Sequence, residues 1–303
     1  MPISLAYFGV VLIWSTTPLG IAWSGQAAGF TFGLAGRMVL GLALIFIFAA
    51  MMGKKVVWHK RARIAYLYGG LGLYGGMELV YWGAQFIPSG WVSLLFGLTP
   101  IITAIMASWW LEGELLTRAR IIGMFLGFIG LLVIFGQSLA WSDAAIYGVC
   151  AVLASGTVHA ASAIWVKRVK AEVSGISMTA GTLSVATPLF VLTWLISQPD
   201  FDTLWHTLNI APSHTVWAIA YLALFGSVFG FSLYFHILKH VEATRVALIA
   251  LMTPVISLIL GHFLNHEPIT FNIILGASLI VSGLAVFELG DKPLPKWIPF
   301  RPN

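Results

Sequence analysis

Charge is what this chain has least of. Only 9% of its 303 residues are Asp, Glu, Lys or Arg, against 59% hydrophobic. A soluble core of that length cannot hide so much apolar surface, so the composition points to a membrane protein. Cysteine is nearly absent as well. Cys150 stands alone, which excludes an intrachain disulfide and a thiolate metal cluster. The basic excess is spread over short loops without a clustered basic face, which argues against a nucleic-acid partner. There is no phosphate loop, no His-Glu-x-x-His and no well-placed serine–base pair, so an intramembrane enzyme lacks its machinery and no cofactor or metal is implied. The start of the chain has no basic n-region, and no polar mature domain follows a cleavage site. The first apolar stretch therefore reads as a retained span.

What the chain does have is ten apolar stretches, each about long enough to cross a bilayer. They run over about 3–23, 31–52, 64–86, 90–111, 119–137, 144–167, 175–196, 214–238, 244–264 and 270–289. Helices are expected, because lipid offers no partner to an unpaired backbone. Threading the stretches in order sorts the loops by charge. The loops around 54–63, 118–120, 167–170 and 239–245 and the tail after 290 hold 15 of the 16 Lys and Arg. The loops on the opposite side hold none, and the sixteenth, Arg37, lies inside a span. Positive loops stay cytoplasmic, so both termini are expected there.

An internal repeat divides the chain. Leu98-Thr99-Pro100-Ile101-Ile102 in span 4 is echoed by Met252-Thr253-Pro254-Val255-Ile256 in span 9, with the prolines 154 residues apart. Glu114-x-x-Thr117 is echoed by Glu267-x-x-Thr270, and Gly123 and Gly130 by Gly276 and Gly283, at an offset of 153. The unit is five helices, and an odd number inverts the second copy in the membrane. The expected fold is an all-α membrane protein of ten transmembrane helices in two inverted-topology repeats, 1–138 and 139–289, followed by a cytoplasmic tail, 290–303. Inverted repeats serve alternating access around a site at their interface.

These marks carry a resemblance. Tyr81 to Phe135 and Phe231 to Phe287 resemble two EamA-type units of the drug/metabolite transporter superfamily, through the Thr-Pro kink, the helix-ending Glu and the Gly-rich closing helix. Trp14-Ser15 is similar to that family's early Trp-rich motif. Within the superfamily the chain is most like the YddG-type aromatic amino acid exporters. The resemblance implies an inner-membrane carrier that cycles between inward-open and outward-open states and moves neutral, mainly aromatic amino acids outward. Exporters of drugs or other small metabolites in the same superfamily remain an alternative. One departure is His266 before Glu267, where Gly113 precedes Glu114.

Candidate site residues sit inside the spans. In span 3, Tyr74, Glu78, Tyr81, Trp82 and Gln85 recur at helical steps and share a face. A carboxylate facing lipid is costly, so Glu78 should face the interior or a water-filled cavity, with Leu79 and Val80 off that face. Arg37 lies about 9 Å and Glu78 about 12 Å below the outer helix ends at 1.5 Å per residue. They can pair with each other, or divide a substrate's carboxylate and ammonium between them, or Arg37 can snorkel. In span 6, Ser155, His159 and Ser162 share a face, and His159 can bind substrate or relay a proton. Trp14 and Trp82 can supply aromatic walls. Pro100 and Pro254 read as kinks whose helix halves tilt during gating. His262, His266 and Glu267 lack a third convincing ligand for a metal.

Overall fold

The computed structural model describes residues 2–26, 29–111, 117–137, 143–197, 212–247 and 249–289. Every regular element among them is helical. In order they are α1 (Ile3–Ser24), α2 (Gly29–Met51), α3 (Lys60–Gly83), α4 (Ser89–Phe96), α5 (Thr99–Trp110), α6 (Arg118–Gln137), α7 (Asp143–Val169) and α8 (Gly175–Ser197). Then come α9 (Ser213–Tyr221), a π-helical segment (Leu222–Phe229), α10 (Gly230–His240), α11 (Ala243–Ala247), α12 (Ile249–Asn265) and α13 (Phe271–Leu289). Among the described residues, six stretches are long and apolar enough to cross a membrane: Ile3–Ser24, Gly29–Met51, Ser89–Trp110, Ala144–Val169, Gly175–Ser197 and Ser213–His240. Glu114 and the tail 290–303 lie outside the described residues.

Helix starts follow local chemistry. α1, α4 and α9 each begin directly after a proline in extended backbone: Pro2, Pro88 and Pro212. Proline lacks the N–H that a first helical turn leaves unpaired anyway. α3 is preceded by His59, whose Nδ1 accepts from the Ala62 N–H at 3.2 Å, in the manner of a side-chain N-cap.

Spans 4 and 8, expected as single helices, are interrupted. α4 ends at Phe96 and α5 resumes at Thr99, because Pro100 cannot donate to the Phe96 carbonyl and its ring crowds that turn. The Thr103 hydroxyl returns a bond to the Thr99 carbonyl at 2.7 Å. Span 8 passes through the π segment, where the ladder widens to i→i+5 bonds. Pro254 lies inside α12, and Pro18 and Pro188 lie inside α1 and α8.

The closing helices of the two halves, α6 and α13, pack at backbone contact. A Cβ built at Gly123 would fall within 3.0 Å of the Gly283 carbonyl oxygen, and one at Gly130 within 3.0 Å of the Gly276 carbonyl oxygen. The converse clashes hold at Gly276 and Gly283. Only glycine permits this approach, the small-residue packing that membrane helices use in place of a hydrophobic driving force. The 153-residue offset carries the Gly123–Gly283 contact onto Gly276–Gly130.

Polar ties close both ends of the bundle. At one end, Glu267 accepts from the Ser89 N–H at 3.0 Å, the Ser89 hydroxyl at 2.5 Å and the Gly90 N–H at 3.0 Å. The same carboxylate takes an Asn265 amide hydrogen at 2.9 Å, and the Trp23 indole donates to Asn265 at 3.1 Å. At the other end, Arg120 meets Glu242 at 3.4 Å, Lys239 meets Glu172 at 3.1 Å, and Lys167 donates to the Val241 carbonyl.

Candidate functional site

Between these ends lies a cavity of about 150 Å³. Helices α1, α2, α3, α4, α5, α7, α8, α10, α11 and α12 supply its wall; α6 and α13 supply none of it. Five aromatic rings face it: Trp14, Phe96, Phe231, Tyr234 and Phe235. The Trp14 ring lies 5.2 Å from Tyr234 and 6.4 Å from Phe231. A cavity of about this size is large enough to hold a benzene ring.

Arg37 is the one charged side chain on that wall among the described residues. It is 1% exposed. Its Nε donates to the Ser227 hydroxyl at 2.9 Å, and its Nη1 donates to the Tyr81 hydroxyl at 3.3 Å. Among the described residues no carboxylate lies within ion-pair distance of it. The π segment builds this seat. It presents Ser227 to Nε, and Gly226 beside it leaves room for Nη2: a Cβ there would sit 2.9 Å from that nitrogen. π-helical turns recur at functional sites for this kind of re-aiming.

Hydroxyls complete the polar part. The Ser93 hydroxyl donates to Ser257 at 2.8 Å, and Ser257 donates to the Ser15 carbonyl at 2.7 Å, tying α4, α12 and α1 beside the cavity. The Thr99 and Thr182 hydroxyls, both buried on the cavity wall, have no hydrogen-bond partner among the described residues. An unpaired buried hydroxyl is costly, so these oxygens are available to a bound molecule.

The structure gathers four of the sequence candidates at the cavity: Trp14, Arg37, His159 and Ser162. His159 lies over Gly76, with its ring 6.0 Å from that of Phe96. The Ser162 hydroxyl donates to the Tyr68 carbonyl at 3.0 Å. Ser155, on the same face of α7, is buried against α3 and donates to the Gly76 carbonyl at 2.6 Å. Of the gating pair, Pro100 marks the α4–α5 break, and both threonines preceding the prolines, Thr99 and Thr253, line the cavity.

The polar stripe of span 3 does not line the cavity. The wall takes Gly69, Leu73, Met77 and Val80, so Val80, which lies off the polar face, lines the cavity. Tyr74 bonds Thr193 at 2.7 Å, and Tyr81 is buried beneath Arg37. Trp82 is 39% exposed against Phe86, and Gln85 is exposed and returns to the Trp82 carbonyl. Glu78 is half-buried and makes no ion pair with Arg37. The reason is phase. Positions 74, 78 and 81 each follow a wall residue by one, which is about 100° around a helix. Polarity singles out one face of α3, while an apolar cavity takes the next.

Sequence reading missed Phe96, Thr99, Thr182, Phe231, Tyr234 and Phe235 on the wall. The one available signal was the glycine pattern of α3. Gly72 and Gly76 abut Ser162 and His159 on α7, which fixes α3's packed face and, with it, the neighbouring cavity face.

Comparison with known proteins adds the following. The sequence profile of the EamA-like transporter family matches residues 1–136 and 146–289, one stretch in each half of the chain. The "Uncharacterized transporter YoaV" of Bacillus subtilis (strain 168) is 27% identical over 93% of this chain and 95% of its own length. A "Probable amino-acid metabolite efflux pump" of Escherichia coli (strain K12) is 27% identical over 67% of this chain and 69% of its own. A "Probable terminal-alkyne amino-acid exporter" of Streptantibioticus cattleyicolor is 26% identical over 91% and 93%. A crystal structure similar to this chain shares the fold, with a TM-score of 0.72 at 20% identity, over 94% of this chain and 95% of that one.

Proposed function

The chain belongs to the EamA-like transporter family, a multi-pass membrane protein, and on that premise we propose that it exports neutral, chiefly aromatic amino acids by alternating access. The observation that carries the reading is the cavity itself: aromatic rings on the wall around one buried guanidinium that has no ion-pair partner among the described residues. The rings suit an apolar or aromatic side chain. Arg37 suits a carboxylate, which a guanidinium binds in a two-pronged, charge-assisted fashion. His159, Ser162, Thr99 and Thr182 provide polar contacts around it. Relatives described as amino-acid metabolite efflux pumps and exporters support the same cargo class.

In this reading the helices form ten spans in two inverted repeats, 1–138 and 139–289, with both termini and the basic loops in the cytoplasm and the protein in the inner membrane. The polar ties at the two ends of the bundle then act as gates, one closing while the other opens. The exporter of drugs or other small metabolites is the second reading. The lone cation on the wall favours anionic groups over quaternary amines. A competition panel in proteoliposomes separates the two. Unlabelled Trp, Phe and Tyr should suppress exchange of labelled phenylalanine, while quaternary amines and dicarboxylates should not. Suppression by quaternary amines, with none by aromatic amino acids, would establish the second reading instead.

A further inference from the structure

The cavity balances one charge, and an amino acid has two. Arg37 is the only ionised side chain on the wall among the described residues, and no Asp, Glu or Lys faces it there. A guanidinium offers five N–H donors. Ser227 and Tyr81 account for two bonds, one from Nε and one from Nη1, leaving Nη2 and part of Nη1 without a hydrogen-bond acceptor among the described residues. A buried charge without a counter-charge is costly, and its natural occupant is an anion that neutralises it.

The second terminus of an amino acid has no such partner. Glu78, the acidic residue nearest in depth, lies one position past Met77 on α3, off the wall. Among the described side chains on the wall, an ammonium group would meet aromatic rings, His159 and neutral hydroxyls but no carboxylate. A bound zwitterion also leaves the cavity's net charge where it was when empty, whereas a bound monoanion cancels it. The Thr99 and Thr182 hydroxyls, without a partner among the described residues, can donate to a keto or acyl oxygen.

We propose that the cavity also binds aromatic monocarboxylates without a free ammonium group, such as arylpropionates, aryl-keto acids and N-acylated aromatic amino acids, and binds them more tightly than the corresponding amino acids. The proposal rests on the reading of this cavity as the cargo site. Its test compares three ligands of one skeleton, binding to the purified full chain in detergent by titration calorimetry. 3-Phenylpropionate keeps only the carboxylate, phenylalanine keeps both charges, and phenethylamine keeps only the ammonium. 3-Phenylpropionate should bind at least about tenfold tighter than phenylalanine, the equivalent of losing one poorly compensated charge, and phenethylamine should bind weakest. Arg37→Gln should remove the advantage of 3-phenylpropionate over the neutral 3-phenylpropionamide, while binding of the amide itself, retained in the variant, shows that the cavity is folded. Phenylalanine binding as tightly as 3-phenylpropionate, or more tightly, would overturn the proposal and leave the amino acid reading standing. Binding of none of the three would remove both.

Discussion

Glu267 offers the most direct perturbation of the proposed gates. Its carboxylate accepts three bonds from the first turn of α4, at 3.0, 2.5 and 3.0 Å. It ties the end of α12 to the start of α4, where the positive end of that helix favours an anion. A hydrogen bond to an ionised group contributes about 1.5–3 kcal/mol, and loss of a capping side chain alone costs about 1 kcal/mol. Glu267 is only partly buried, so water recovers part of the sum, and about 3 kcal/mol is the working figure for Glu267→Ala. If the tie exists only while this face is closed, that loss shifts the equilibrium toward opening by about a hundredfold. Glu267→Gln keeps a neutral acceptor and should shift it by about tenfold or less. The assay places a cysteine at Ser93, on the cavity wall, in a Cys150→Ser background. An impermeant thiol reagent is then added from the outer side of oriented vesicles. Labelling should accelerate strongly in Glu267→Ala and modestly in Glu267→Gln. Equal labelling rates in all three proteins, with a lowered melting temperature, would make Glu267 a structural cap and refute its role in gating.

Three further expectations follow from the geometry. Gly123→Leu or Gly276→Leu should abolish recovery of folded protein on size-exclusion chromatography, because each Cβ strikes the opposing backbone, whereas Gly127→Ala, whose Cβ would lie 3.9 Å from Ile101, should be recovered normally. Gly226→Ala crowds the Arg37 guanidinium at 2.9 Å and should weaken carboxylate binding severalfold with little change in melting temperature. Single cysteines replacing the exposed Gln26 and Ser213 should react with an impermeant reagent from outside intact cells, and those replacing Lys55 and Lys170 should not; the reverse pattern would invert the proposed orientation.

Much of the scaffold was legible because the bilayer fixes helix length. The reading of 3–23 for α1 and 175–196 for α8 meets observed helices of Ile3–Ser24 and Gly175–Ser197. The paired glycines were visible as a repeat, and their reciprocal packing in α6 and α13 gives that spacing a physical purpose. What stayed hidden depends on rotation and local backbone. Periodicity finds that Tyr74, Glu78 and Tyr81 share a face, but not which face meets the cavity, and the adjacent apolar set is equally periodic. The π segment leaves no mark of its own in an all-apolar run, since widening the ladder changes no residue type. Yet it delivers Ser227 and Gly226 to Arg37, so the electrostatic centre of the site rests on the feature least readable from sequence.

The central claim is that cargo passes through this cavity, and filling it is the plainest test. Met77→Trp and Val80→Trp each place an indole in a space of about 150 Å³, while Leu79→Trp places the same group outside the wall. Counterflow of labelled phenylalanine into vesicles loaded with unlabelled phenylalanine should be saturable in the parent protein, retained in Leu79→Trp and lost in Met77→Trp and Val80→Trp at equal reconstituted amounts. Undiminished counterflow in both filled-cavity variants would contradict the account and send the cargo by another route.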